Sequence, residues 1–222
     1  MIVDEHITQY LHSLDEDAPP HLASLRAEAE AEGVPLIRRE MERFFRVLFA
    51  MKRPERVLEI GTGIGYSAVF MKAVSETIRH MDTIENYPPR IQKAKEILAP
   101  YEKTITLLEG DAADVIRKLE EPYDFIFLDG PKAQYPVMLP DLKRLLLPGG
   151  ILLSDNVLQE GDLVRSRFAV SRRDRTVHER MREFLHRVTH DPELVTSVLP
   201  VGDGVSLSVK QELQKDEKEL GK

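Results

Sequence analysis

Residues 56–67 read RVLEIGTGIGYS, and the rest of the chain is organised around them. Residues 56–60 predict a short buried strand, because Val57, Leu58 and Ile60 are apolar and partly β-branched. Gly61, Gly63 and Gly65 follow at every second position. They let the backbone turn sharply and lie against a ligand with no Cβ in the way. A helix can start at about Gly65. Strand, glycine turn and helix, in that order, open a nucleotide-binding α/β unit. The dinucleotide fingerprint G-x-G-x-x-G needs a glycine at position 66, where Tyr66 stands instead. Glu59, just ahead of the turn, would repel a pyrophosphate and attract a cationic ligand.

Length and composition set the frame. The 222 residues suffice for one α/β domain with a full core and are short for two. Hydrophobic content of 42% and charged content of 31% are those of a soluble globular protein. No cysteine is present, which excludes disulfides, thiolate metal sites and a cysteine nucleophile. That composition fits a reducing cytoplasm. Residues 1–14 contain Asp4, Glu5 and His6 and lack the apolar core of a signal peptide. No apolar run is long enough to span a membrane. The net charge of −7 argues against a generally basic nucleic-acid binder and leaves room for a local basic patch.

Outward from residues 56–67 the chain alternates. Three helices precede the first strand, over residues 4–14, 21–32 and 38–51, and read as an N-terminal cap over residues 1–52. Strands are expected at 81–84, 104–108, 123–128 and 150–153, with helices at 67–76, 88–98, 113–119 and 176–190. Residues 133–146 read as a helix broken up by Pro136 and Pro140. Residues 157–175 read as irregular. Two last strands, 194–199 and 205–209, flank Pro200-Val201-Gly202-Asp203-Gly204, a hairpin turn. Residues 1–210 form one domain in this reading, and 211–222 a charged, frayed tail. Alternating strands and helices predict a parallel sheet covered on both faces, here closed by an antiparallel hairpin.

Ligands of such sheets bind beyond the carboxyl ends of the strands. Glu59, Glu85, Asp111, Asp129 and Asp155 all stand at such ends. Glu85 lies where a carboxylate accepts ribose hydroxyls, although an acid there also caps a helix. Asp111 has the same two readings, and both can hold. Ser67 can reach a ligand carboxylate from a helix N-terminus. Asp129, Asp155 and Asn156 supply two carboxylates and an amide oxygen at neighbouring strand ends. Such hard oxygens suit Mg²⁺ or a similar divalent cation. Lys132 follows Asp129 by three residues.

Glu59-x-Gly61-x-Gly63-x-Gly65 resembles motif I of the class I S-adenosylmethionine-dependent methyltransferases. The chain as a whole resembles their Rossmann-like fold: a seven-stranded, mostly parallel sheet with an antiparallel C-terminal hairpin. Asp129, Lys132 and the Asp155-Asn156 pair resemble the metal-dependent O-methyltransferases of catechol and caffeoyl-CoA type, over about residues 34–210. The resemblance implies S-adenosylmethionine contacts at Glu59, Gly61, Gly63, Gly65, Ser67, Glu85, Asp111, Ala112 and Asp129. It implies Mg²⁺ on Asp129, Asp155 and Asn156, and Lys132 as the acceptor of the substrate proton once a nearby cation lowers its pKa. Gly130-Pro131 departs modestly from the family pattern and touches only the shape of the acceptor pocket. A homodimer is a further family expectation.

Within the family the chain is most similar to the bacterial tRNA 5-hydroxyuridine methyltransferases. Asp155-Asn156-Val157-Leu158, Leu199 to Gly204 and a run of arginines carry that likeness. Between positions 165 and 187 stand eight arginines, among them Arg165, Arg167, Arg172, Arg173 and Arg175. The implied partner is tRNA, methylated at the wobble 5-hydroxyuridine to 5-methoxyuridine. Ile37 matches a donor-contacting position of that branch. The arginines also read as a solvated helix face. The alternatives are a small catechol-like acceptor with the same metal and donor, a nicotinamide-dependent oxidoreductase, and a non-catalytic binding module.

Overall fold

The computed structural model describes residues 2–15 and 18–212. The tail expected at 211–222 therefore falls almost wholly outside the described residues. Helices α1 (Glu5–Ser13), α2 (Pro20–Ala31) and α3 (Arg39–Lys52) precede strand β1 (Arg56–Ile60). There follow α4 (Tyr66–Val74), β2 (His80–Glu85), α5 (Pro88–Leu98), β3 (Ile105–Glu109) and α6 (Ala112–Lys118). The chain continues through β4 (Tyr123–Leu128), α7 (Tyr135–Leu145), β5 (Leu146–Ser154), α8 (Arg175–His190), β6 (Leu194–Leu199) and β7 (Val205–Lys210).

The strands form one seven-stranded sheet in the order β3-β2-β1-β4-β5-β7-β6. β1 pairs in parallel with β2 and β4, and β7 runs antiparallel between β5 and β6. β1 is buried on both faces, which is why Val57, Leu58 and Ile60 all had to be apolar. The strand order reverses between β1 and β4. That switch point opens a crevice at the carboxyl ends, between Gly61 and Asp129.

Two apolar layers sandwich the sheet. One joins α2 to α5 to the sheet through Leu22, Phe45, Phe70 and Leu98, the other joins α6 to α8 through Ile116, Leu142 and Phe184. The capping helix α3 belongs to the first layer. Phe45 meets Phe127 edge-on at 4.9 Å and Phe49 meets Phe125 at 4.8 Å. Among the described residues no helix is long and apolar enough to cross a membrane.

The prolines do not break α7. Pro136 lies in its first turn, where no amide donor is needed, and Pro140 stands inside the helix. Pro140 has no N–H for the carbonyl four residues earlier, which is that of Pro136. Arg187 of α8 fills the gap, donating from Nη1 to the Pro136 oxygen at 2.6 Å. β5 also starts earlier than expected. Leu146 pairs with Tyr123, the chain loops out through Gly149, and pairing resumes with Ile151 on Phe125. The expected irregular stretch contains a kinked 3₁₀ segment, Gln159–Val164.

Replacing Arg187 by alanine leaves the Pro136 carbonyl bare and is expected to cost about 1 kcal/mol. In a Pro140→Ala background the helix supplies its own donor, so the same replacement should cost less. A double-mutant cycle by urea denaturation measures the difference; equal costs in both backgrounds would refute the compensation.

Candidate active site

The glycine turn works because two strand ends come close. Gly61 has φ +102°, and a Cβ there would lie 2.3 Å from the carbonyl oxygen of Asp129. The turn is tied to the second strand. Glu85 accepts the Gly63 amide on Oε2 at 3.0 Å, and those of Asn86 and Tyr87 on Oε1 at 2.9 and 3.0 Å. Glu85 thus holds the chain leading into α5 and fixes the turn while its carboxylate borders the cleft. Gly63, Ser67, Ile37, Asp129, Asp155 and Asn156 also line this cleft, a cavity of about 370 Å³.

Four of the expected donor contacts, Glu59, Gly65, Asp111 and Ala112, lie outside the cleft lining. Glu59 is fully buried behind the turn rather than in its wall. Its register partner Thr83 donates to Oε2 at 2.5 Å, and Thr62 donates onward to Thr83 at 2.6 Å. Among the described residues Glu59 Oε1 has no hydrogen-bond partner. Burial pushes the carboxyl up to about 7, against the lowering influence of the nearby Ser67 and Thr83 hydroxyls, and with the charges of Asp129 and Glu85 adding to the rise. Gly65 sits against Leu98, away from the cleft lining. Asp111 caps α6 through the Ala113 amide at 3.0 Å and accepts Gln134 on its other oxygen at 3.2 Å. Its neighbour Ala112 is buried, and neither borders the cleft.

Of the opposite wall, Ile37 alone was expected. Residues 34–38 form it, together with Tyr66 and Arg90. A buried network holds this wall in place. Arg26 donates to the Ile37 carbonyl at 2.8 Å and to Glu42 at 2.5 Å, and Tyr66 donates to the same Glu42 oxygen at 2.5 Å.

Beyond Asn156 lies a second cavity of about 310 Å³. Lys132, Asn156, Glu160, Asp162, Asp174 and Asp203 are among its lining. Asn156 therefore borders both spaces. Lys132 donates to Asp129 Oδ1 at 2.7 Å and stands 5.5 Å from the centre of the Tyr135 ring. Burial works against the ammonium, but Tyr135, Asp129 and Asp155 outweigh it and raise the pKa. Without a further cation, then, Lys132 is held as an ammonium.

Asp155 is 5% exposed. Burial first, and the charge of Asp129 second, push its carboxyl up to about 7, against Lys132 and the Asn156 amide. Two carboxylates resisting simultaneous ionisation, with an amide oxygen beside them, fit a hard divalent cation, which relieves the repulsion. Among the described residues no three His, Cys, Asp or Glu gather as a metal cluster, so the set depends on the amide of Asn156.

The loop carrying Asn156 is strained. Asn156, Gln159 and Glu160 have φ of 54°, 49° and 53°, and Gly161 has 88°. Each non-glycine in this region costs on the order of 1 kcal/mol.

The arginines are dispersed. Arg165 pairs with Asp162 at 3.1 Å and Arg167 with Glu179 at 3.5 Å. Arg182 donates to the Leu163 carbonyl at 3.1 Å. Arg175 lies 5.9 Å over Phe168, which is 84% exposed. Arg172 and Arg173 are exposed.

Comparison with known proteins agrees with this arrangement. The chain is 33% identical over 178 residues to caffeoyl-CoA O-methyltransferase 2 of Populus trichocarpa, covering 74% of this chain and 70% of that one. It is 29% identical over 170 residues to a catechol O-methyltransferase of Niastella koreensis, covering 73% and 75%. A Staphylococcus aureus crystal structure, provisionally assigned as a caffeoyl-CoA O-methyltransferase, superposes with TM-score 0.85 at 31% identity, over 93% of this chain and all of that one. The O-methyltransferase family model matches residues 12–211. With that match, and with carboxylates rather than a third glycine governing the cleft, this chain belongs to the O-methyltransferase family.

Proposed function

We propose that the chain transfers the methyl group of S-adenosylmethionine to a hydroxyl that has a second oxygen beside it, using a divalent cation such as Mg²⁺. The observation that carries this reading is the position of Asp129, Asp155 and Asn156. They border the donor cleft, and Asn156 also borders the second cavity. A cation held there favours loss of the acceptor's proton. The acidic surroundings of the cleft, with Glu59, Glu85, Asp129 and Asp155, suit a sulfonium donor. Gly61 and Gly63 let the donor lie on bare backbone, and Glu85 keeps lone pairs for ribose hydroxyls. Lys132 faces the second cavity. It takes the acceptor proton only after the charge of Asp129 and Asp155 is offset, because Tyr135 and those two carboxylates together hold it as an ammonium.

We assign the acceptor to small catechol-like molecules. The second cavity is small and its charged lining is mainly acidic, which disfavours a polyanion. One observation favours tRNA 5-hydroxyuridine as the second reading. Phe168, Arg172, Arg173 and Arg175 present an exposed ring among arginines, a surface on which bases stack. In 5-hydroxyuridine the 5-hydroxyl lies beside the 4-carbonyl oxygen, so the chemistry is the same.

Methyl transfer from labelled S-adenosylmethionine, measured on caffeate and on bulk tRNA lacking 5-methoxyuridine, decides between the acceptors. Transfer to caffeate should fall about a hundredfold or more with EDTA. EDTA-insensitive transfer would sink the cation reading, and transfer to tRNA alone would replace the acceptor. Lys132→Met should lower kcat about a hundredfold while leaving donor affinity unchanged. A proton on Asp155 competes with the cation, so Mn²⁺ affinity should drop about tenfold per pH unit below about 7 and level off above it. A flat profile across that range would contradict the cation site.

A further inference from the structure

We propose that Asp203, in the turn between β6 and β7, is a positioning residue for methyl transfer: it holds the strained loop 156–161 that presents Asn156 and walls the acceptor cavity. The proposal rests on the cation and acceptor reading given above and adds to it a residue outside the strand ends.

Four contacts carry it. The Asp203 side chain, 8% exposed, accepts the Glu160 amide on Oδ1. Its carbonyl accepts the Leu158 amide at 3.2 Å. The neighbouring Gly204 carbonyl accepts the Val157 amide at 2.9 Å. A Cβ on Gly204 would sit 2.4 Å from Leu158 Cγ, so loop and turn are closely packed at this point. Loop residues in the left-handed region return to ordinary backbone unless something over-determines them. Glu160 is one of those residues, and its amide is the one the Asp203 carboxylate takes. The Leu158 and Val157 bonds use main-chain oxygens and would survive a side-chain change. The carboxylate is thus the replaceable part of the clamp, and its removal should loosen the distal half of the loop, where Gln159 and Glu160 line the acceptor cavity.

Arg38 extends the clamp toward the donor. It pairs with Glu160 at 3.3 Å and borders the donor cleft. That pair is half-exposed and is screened by solvent. The proposal does not depend on it.

Asp203→Ala and Asp203→Asn test the assignment, since asparagine keeps an oxygen for the Glu160 amide. In the ligand-free protein, amide hydrogen exchange at residues 159–161 should speed up in D203A and stay near wild type in D203N. Mn²⁺ binding, read by electron paramagnetic resonance, should weaken in D203A. With caffeate as acceptor, KM should rise about tenfold or more in D203A, with D203N restoring most of it. The affinity for S-adenosylhomocysteine, measured by calorimetry, should not move in either variant. Unchanged exchange together with unchanged caffeate KM in D203A would overturn the proposal. So would equal loss of S-adenosylhomocysteine affinity and caffeate KM, which marks a structural role only. If wild-type protein takes up no Mn²⁺, the cation reading fails by itself, while exchange and KM still decide the role of Asp203.

Discussion

The close approach of two parallel strands at their carboxyl ends governs this molecule. β1 and β4 are neighbours, and beyond them the backbone of Gly61 passes so near the Asp129 carbonyl that no side chain fits between. From that contact follow the sharp turn into α4, the crevice at the switch point, and the placement of Asp129 in the cleft wall against the glycine turn. The glycine is therefore a steric requirement of the sheet before it is a feature of any ligand site. Gly130 repeats the constraint from the other side, since a Cβ there would lie 2.9 Å from Ile60 Cγ2.

Charge gives the site its second organising constraint. Four carboxylates collect around the ends of β1, β2, β4 and β5, and their mutual repulsion is visible in Glu59 and Asp155, both pushed up to about 7 with burial as the leading cause. A fold bears that cost where a cationic ligand offsets it. The lysine beside these groups is stabilised as an ammonium by the same field. Acid and base behaviour in the site are thus two readings of one potential.

The sheet was legible in the sequence because β1 to β5 each carry an acidic residue at or near the carboxyl end, and β6 and β7 flank a Pro- and Gly-containing turn. β1, β4 and β6 match their expected limits, and the remaining strands shift by a residue or more at one end or both. What escaped were contacts between distant segments. Nothing near Pro140 announces that an arginine 47 residues later serves the Pro136 carbonyl. Asp111 caps α6, one of its two expected readings, but its second partner Gln134 lies on another element and was not foreseen. Glu59 was expected to face the ligand from its place in the motif. Strand register sets it beside Thr83 instead, under the turn. Asp203 read as a turn residue, and only the folded chain brings it to the loop that carries Asn156.

The network of Arg26, Glu42 and Tyr66 has an energetic meaning for the donor cleft. It fixes the Ile37 carbonyl, and with it the wall over residues 34–38, before any ligand arrives. The entropy of ordering that segment is spent in folding, so it does not count against association. A wall set in advance, however, meets the spent donor as readily as the fresh one. Such uniform binding tightens the complex without lowering the barrier to reaction, and it retains the product by the same amount.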